Sequence, residues 1–322
     1  MLNTVNTDEE ERFQVKVAWL YHIEGLTQGA IADHLGVTRL KVNRALGEAL
    51  RNGVVRVSIQ SPYAPCLDLE AEVKQRFGLK DASIAPQPSD DANVQPLIGA
   101  ELGRYLSILL ADPSIRLFGI GWGNTLHFAT RSIMPSRKDP LEIISLMGGL
   151  SKGSGINSFE ITTRLADLYS AERAYLTVPI YASTEQSRDT IRVQEVFQEV
   201  LMKVGQADGI AMGVGDISER SLLVRDGLPN GVTAGDLIAA GAVGDMLGYF
   251  IDEDGHLIDL PINRQVIGVS PFELTDMPNV ILAAGGQRKI KIMAAALKTG
   301  IVDVLITDQR TAQSILSRTR PG

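Results

Sequence analysis

The sequence predicts an α/β protein in two unequal parts: a small N-terminal helix-turn-helix domain, and a large domain built on a mostly parallel sheet. Three observations predict it. Residues 26–59, LTQGAIADHLGVTRLKVNRALGEALRNGVVRVSI, place helix-capping threonines on either side of a glycine turn. From about Lys80 onward, short apolar runs alternate with helical patterns, as parallel strands covered on both faces require. The length of 322 residues, with 44% hydrophobic content, is too great for one small domain and enough to fill two cores; 31 glycines suit many tight strand-to-helix turns.

In chain order, a first helix is expected from about residue 11 to 23, with Phe13, Val17, Leu20 and Tyr21 at helical spacing and Trp19 in the core. Thr27 caps a helix over 28–35, its hydroxyl accepting an orphan N–H, and Gly36 ends it where a left-handed turn is cheap. Thr38 caps the next helix, from Arg39 to about Asn52. Ala32, Gly36 and Val42 supply the small residue, the turn and the apolar wedge that two crossing helices need. Leu40, Leu46, Ala49 and Leu50 are assigned to the buried side of the second helix, and a short strand follows up to Ile59.

That assignment leaves Arg39, Lys41, Asn43 and Arg44 projecting outward, with Gln28 and Thr38 at the two helix starts. The set suits a DNA major groove: Arg and Lys pair with phosphate or guanine, and Asn pairs with adenine. The same pattern also fits a solvated helical hairpin. The formal net charge of −7 argues against a nucleic-acid partner, but it is unevenly spread. Between residues 39 and 56 the bases Arg39, Lys41, Arg44, Arg51 and Arg56 are opposed by Glu48 alone, and the field at a docking face decays over ~8–10 Å.

The Ser-Pro-Tyr-Ala-Pro run at 61–65 is a stiff breaker, so the domains are expected at 1–60 and 80–322, with 61–79 as linker and connecting helix. That helix, 67–77, offers Leu67, Leu69, Val73 and Phe77 as apolar members and could connect the domains or pair with its copy. In the large domain, helices are expected at 94–110, 126–133, 158–169, 289–297 and 311–316. Strands are expected at 115–120, 141–147, 175–178, 280–284 and 302–306, with a hairpin turn at 252–255. Cys66, a lone cysteine, excludes an intramolecular disulfide and a cysteine-rich metal site. The N-terminus lacks the basic and apolar regions of a signal peptide, and no apolar run approaches the ~20 residues of a membrane span, so a cytoplasmic protein without membrane association is expected.

Open α/β sheets bind ligands beyond the carboxyl ends of their strands, and three loops there are unusual. Residues 119–125, GIGWGNT, follow a strand and open a helix, so Gly121, Gly123, Asn124 and Thr125 could present donors to an anion; the glycines could equally serve a tight turn. A dinucleotide cofactor is disfavoured, because the pattern is GxGxG and no acid ends the next strand. No cofactor and no metal are expected. The second loop contains Gly149. The third, AAGGQRK at 283–289, puts Lys289 at the head of a helix. Asp245, a lone acid amid apolar residues, is either paired in the core or hydrogen-bonded to a polar ligand.

These stretches resemble the SorC family of bacterial sugar-responsive transcriptional regulators. VAWLY at 17–21, EGLTQ at 24–28, LGVTRLKVNR at 35–44 and NGVVRVSI at 52–59 match its reading head. GIGWGNTL at 119–126, LMGGL at 146–150, GAVGD at 241–245 and ITDQRTA at 306–312 match its effector domain. Gly29 departs from a position that is more often a polar helix former, and Asn43 from one that is commonly Ser. The resemblance implies a fold similar to sugar-phosphate isomerases, and double-stranded operator DNA and a sugar, polyol or sugar-phosphate effector as partners. The effector anchor would lie at 121–125 with Asp245 and Lys289; the ligand-selecting residues are expected within 184–231. A homodimer or homotetramer is expected, since one head buries little DNA surface. An active isomerase is the competing reading. It needs a general base, and His127, one of four histidines, could face either way; no His/Asp/Glu constellation gathers near the loops, so no catalytic residue is assigned.

Overall fold

Val17, Ile31 and Val42 are fully buried and meet between three helices: α1 (Leu2–His22), α2 (Gln28–Leu35) and α3 (Arg39–Arg51). The computed structural model describes residues 2–55, 61, 63–87, 93–150 and 156–319, and its contacts divide the chain into Met1–Ser61 and Pro62–Gly322. In the first unit both expected caps form: Thr27 Oγ1 accepts the Ala30 N–H (3.2 Å) and Thr38 Oγ1 the Lys41 N–H (3.3 Å). Gly36 ends α2 in the left-handed conformation, φ 65°. Gly29 sits inside α2 without breaking it. α1 begins well before Glu11. The strand expected up to Ile59 lies, from residue 56 on, outside the described residues.

Four core assignments are corrected. Trp19 is 57% exposed and Leu40 77%, and Tyr21 and Leu50 also face solvent. The cause is helical phase. α3 buries Val42, Ala45, Leu46 and Ala49, and two residues along a helix rotate a side chain by about 200°, which turns Leu40 away from Val42. Val17 fixes α1 the same way and sends Trp19 outward.

The second unit opens with α4 (Ala64–Phe77), which buries Cys66, Leu69 and Val73 but leaves Leu67 exposed. It then runs β1 (Asp81–Ala85), α5 (Val94–Leu109), β2 (Leu117–Ile120), α6 (Asn124–Ser132), β3 (Glu142–Ser145), α7 (Ser158–Tyr169), β4 (Glu172–Ala174), α8 (Glu185–Arg192), α9 (Glu195–Gly205), β5 (Gly209–Met212) and β6 (Val214–Gly215). α10 (Leu222–Asp226), α11 (Ala234–Ala239), β7 (Gly244–Met246), β8 (Tyr249–Ile251), β9 (Val280–Ala283), α12 (Ile290–Lys298), β10 (Val304–Asp308) and α13 (Gln309–Arg318) complete it. The strand expected at 175–178 is instead β4, three residues earlier. Beyond Ala174 the ladder stops, and the Leu176 N–H donates to Ser145 Oγ (3.0 Å).

Seven strands form one parallel sheet in the order β1-β10-β9-β5-β2-β3-β4, and β6-β7-β8 form a small antiparallel sheet. On edge strand β1 the N–H groups of Ala82 and Ile84 are taken by the carboxylates of Asp81 and Glu70, which blunts that edge against further pairing. The chain winds outward from β2 to β3 and β4, then crosses to β5 on the other side of β2. The order therefore reverses between β2 and β5, and a crevice is left beyond their carboxyl ends. Apolar clusters fill both faces of the sheet, with Phe118, Ile120, Leu102 and Leu165 on one and Ile210, Leu282, Met293 and Ile315 on the other. Among the described residues, no helix is long and apolar enough to cross a membrane.

Phe118 is fully buried on a central strand. Phe118→Ala is expected to lower the stability of the large unit by about 3–5 kcal/mol, measured by urea denaturation followed by circular dichroism.

Candidate functional site

In the first unit the outward face of α3 carries Arg39, Leu40, Asn43 and Arg44, all exposed, opposite the buried row of Val42, Ala45, Leu46 and Ala49. Each candidate DNA-contacting residue has a definite local setting. Gln28 opens α2 and lines a groove with Arg39 and residues 25–27. Lys41 lies to one side, its ammonium 4.9 Å from the centre of the Phe13 ring, a cation–π contact with α1. Arg44 Nε donates to Glu48 Oε1 (2.9 Å), which raises the guanidinium pKa further. Thr38 acts through its cap on α3. The exposed Leu40 adds an apolar group to this face that the sequence pattern had assigned to the core.

In the second unit the crevice between β2 and β5 opens into a cleft of about 700 Å³, part of it open to solvent. Gly123, Asn124 and Thr125 form one wall. Gly123 takes φ 118°, which a side chain would resist, and α6 begins at Asn124, so its first N–H groups have no intrahelical partner. Thr125 is 3% exposed, and its hydroxyl, buried against the cleft, has no hydrogen-bond partner among the described residues. A buried polar atom of this kind is costly unless something completes it.

The opposite wall is built by β6 and β7. Their pairing sets Asp245 across from Gly215, where an added Cβ would stand 2.1 Å from Asp245 Oδ1. Asp245 Oδ2 accepts the Gly248 N–H (3.0 Å), holding the left-handed turn of Leu247 and Gly248; Tyr181 Oη donates to the Gly248 carbonyl from below (2.6 Å). Asp245 thus serves the core through one oxygen while lining the cleft. Burial pushes its carboxyl from 3.8 up to about 6; the Gly248 N–H and Lys289 oppose the rise and Asp216 adds to it. Lys289 reaches the cleft from the end of the β9–α12 connection, at the head of α12. Burial lowers its pKa, with Asp216 and Asp245 pulling it back up and Arg288 pushing it down. It is a half-buried ammonium.

Gly123, Asn124, Thr125, Asp245 and Lys289 are therefore brought together, and two expected members are not. Gly121 spends its N–H on the Ala211 carbonyl (2.8 Å), so it joins β2 to β5 and offers no donor to the cleft. Gly149 bonds the Val178 carbonyl (2.8 Å) and packs where a Cβ would be 2.5 Å from Asn157 Oδ1 and the Phe159 ring; it is needed for close packing and does not line the cleft. His127 packs against Phe128, likewise away from it.

Sequence reasoning missed Asp216, Arg220 and Arg288, with Trp122 and Gln95 as further walls. A signal was present: Val-Gly-Asp recurs at 214–216 and 243–245, at the two strands that pair beside the cleft. Asp216 is buried and Oδ1 accepts the Ser218 N–H (2.8 Å). Arg220 and Arg288 are exposed, and neither they nor Lys289 form a direct ion pair among the described residues. Three cations, two buried acids and a helix start converge on one small space. Such a cleft can hold a polyhydroxylated ligand by the acids and an anionic group by the cations.

Residues 61–317 match the Sugar-bind family model, a sugar-binding domain. The erythritol catabolism regulatory protein EryD of Brucella abortus (strain 2308) is 27% identical over 311 residues, covering 97% of this chain and 98% of that protein. The transcriptional regulator LsrR of Escherichia coli O157:H7 is 31% identical over 313 residues, covering 95% of each. Among solved structures, a DeoR family transcriptional regulator from Listeria monocytogenes superposes with a TM-score of 0.70 at 25% identity, over 78% of this chain and 99% of that one. The full-length sorbitol operon regulator SorC from Klebsiella pneumoniae gives 0.69 at 24% identity, over 96% and 99%, a likeness of fold.

Because Asp245 has a raised pKa, its folded form holds a proton that the unfolded chain releases, and stability falls as pH rises from about 4 to about 6. At pH 7 the buried charge costs up to about 3 kcal/mol. Asp245→Asn, which keeps an acceptor for Gly248, is expected to flatten that slope and to unfold at higher urea concentration at pH 7. A lower midpoint for Asp245→Asn at pH 7 would contradict this account.

Proposed function

The chain belongs to the sugar-binding family of transcriptional regulators, and on that premise we propose that it is a SorC-type switch acting on a carbohydrate or polyol catabolic operon. It is a sequence-specific regulator with operator DNA and a small-molecule effector as partners. The finer reading divides the work as the chain is divided, with residues 1–60 as the head, 61–79 as the connection and 80–322 as the effector domain. The head reads DNA through Arg39, Asn43 and Arg44, with Gln28, Thr38 and Lys41 positioning it. The cleft binds a sugar, a polyol or its phosphate. Two or more copies act together, because a single head buries too little surface for tight operator binding.

The observation that carries this reading is the hydroxyl of Thr125, unpartnered among the described residues and facing a cleft in which Arg220, Arg288 and Lys289 form no direct ion pair among those residues. An anion seated at the start of α6 would be met by backbone N–H groups and by cations together. Hydroxyls on the rest of the ligand would fall to Asp216 and Asp245. Its relatives are regulators, and in this chain the cleft lies in the same polypeptide as a DNA-reading head. Binding acts through differential affinity: a ligand shifts operator occupancy only as far as it prefers one arrangement of subunits.

A thermal-shift screen of pentitols, tetritols and their phosphates is expected to find a ligand that, at 100 times its dissociation constant, adds ~2.7 kcal/mol of apparent stability. Lys289→Ala and Thr125→Ala are expected to weaken that ligand at least tenfold in calorimetry while operator binding without ligand stays nearly unchanged. On the head, Arg44→Ala is expected to cost ~1–3 kcal/mol of operator affinity and Asn43→Ala to relax one base position, both measured by fluorescence anisotropy.

A further inference from the structure

We propose that Glu48 is a positioning residue that sets base choice by Arg44, an inference resting on the reading of α3 as the operator-reading helix. Arg44 lies on the exposed face of α3, its side chain 78% exposed. Glu48, one turn further along and itself largely covered, accepts the Arg44 Nε–H at 2.9 Å. An exposed Arg–Glu pair on a helix often contributes little. This one is anchored from behind. Gln14 of α1, 6% exposed, donates from Nε2 to the second Glu48 oxygen (3.2 Å), and the Asn52 side chain at the end of α3 donates to Gln14 Oε1 (3.3 Å). The carboxylate is thus fixed to two helices at once, and its grip on Arg44 inherits that rigidity.

The point of attachment matters. A guanidinium has five N–H donors, and Nε carries one of them. Holding Nε fixes the plane of the group and leaves both terminal nitrogens free. Those two are the fork that matches guanine O6 and N7 in the major groove. An arginine without such a tether reaches phosphates and bases alike from many rotamers, which supports affinity but not choice. The neighbours show the contrast: Lys41 is drawn over the Phe13 ring, and Arg39 lines the groove with Gln28. Glu48 is also the sole acid between residues 39 and 56. Its negative charge opposes non-specific attraction to phosphate, so removing it raises general DNA affinity while lowering discrimination.

The test uses the full-length chain. Selection from a randomised duplex library defines the preferred site, and anisotropy then measures binding to every single-base variant of it. Arg44→Ala identifies the position that Arg44 reads. Glu48→Ala is expected to lose roughly tenfold discrimination at that same position, with unchanged or tighter binding to unrelated DNA. The Arg44→Ala/Glu48→Ala double variant is expected to discriminate no worse there than Arg44→Ala alone, because Glu48 acts through Arg44. Glu48→Gln keeps the shape and decides the matter should Glu48→Ala fail to fold; it is expected to lose part of the discrimination. Full discrimination retained in the Glu48 variants overturns the proposal, as does an equal loss at every base position. If Arg44→Ala changes no base preference, the reading of Arg44 itself falls, and the role of Glu48 with it.

Discussion

A parallel sheet whose strand order reverses between β2 and β5 has to leave a crevice beyond those two strands, and the large unit is arranged around that constraint. Consecutive crossovers on one side of β2 carry the chain to β4, and those on the other carry it to β5, β9 and β10. The loops that leave β2 and β5 therefore diverge. Gly121 and Gly213 lie where they separate: the first bonds back to Ala211, and the second is packed between Trp122 and Ala283. The antiparallel sheet of β6, β7 and β8 then grows from the end of β5. It closes one side of the crevice and brings Asp245, distant in sequence, beside Gly215.

The cleft formed in this way is electrostatically tense. Asp245 and Asp216 are buried with one hydrogen bond each to a backbone N–H, and Lys289 is desolvated beside them. Asp216 favours the protonated form of both Asp245 and Lys289, and those two groups shift one another. Sites that carry such shifts are enriched in function, although structural networks produce them too. Here the structural share is identifiable: one oxygen of Asp245 holds the Leu247–Gly248 turn, leaving the other oriented over Gly215.

Much of this was legible in the sequence where local chemistry dominates. Thr27, Gly36 and Thr38 specify the helix-turn-helix because caps and left-handed glycines act within a few residues. α7 and β9 follow directly from apolar periodicity. What was not legible depended on phase or on distant pairing. Trp19 and Leu40 are apolar residues on the outer side of their helices, and composition alone assigns such residues inward. Gly121 and Gly149 look like ligand-loop glycines, yet one is spent on a strand bond and the other on packing against Phe159, contacts set by tertiary structure. Asp216 and Arg220 join Asp245 because β6 pairs with β7, and Arg288 because the β9–α12 connection lines the same cleft, placements set by tertiary structure.

The mixture of charges also bears on what a ligand would do there. With the cleft filled by water, burying Lys289 is unfavourable and the two acids partly offset the cost. A ligand bearing an anionic group would add a third negative neighbour, favour the charged ammonium and satisfy Arg220 and Arg288. A neutral polyol would instead complete Thr125 and the free oxygen of Asp245, and its hydroxyls would favour the ionised carboxylate. The two classes would therefore differ in proton uptake. The charge of an anion raises the proton affinity of Lys289 and of Asp245 together, a contribution that strengthens binding as pH falls toward 6, whereas hydroxyls that hydrogen-bond to the Asp245 carboxylate contribute in the opposite sense. A sugar phosphate carries both contributions and itself takes up a proton near pH ~6, so its pH dependence is a sum of opposing parts, whereas that of a free polyol has a single sign.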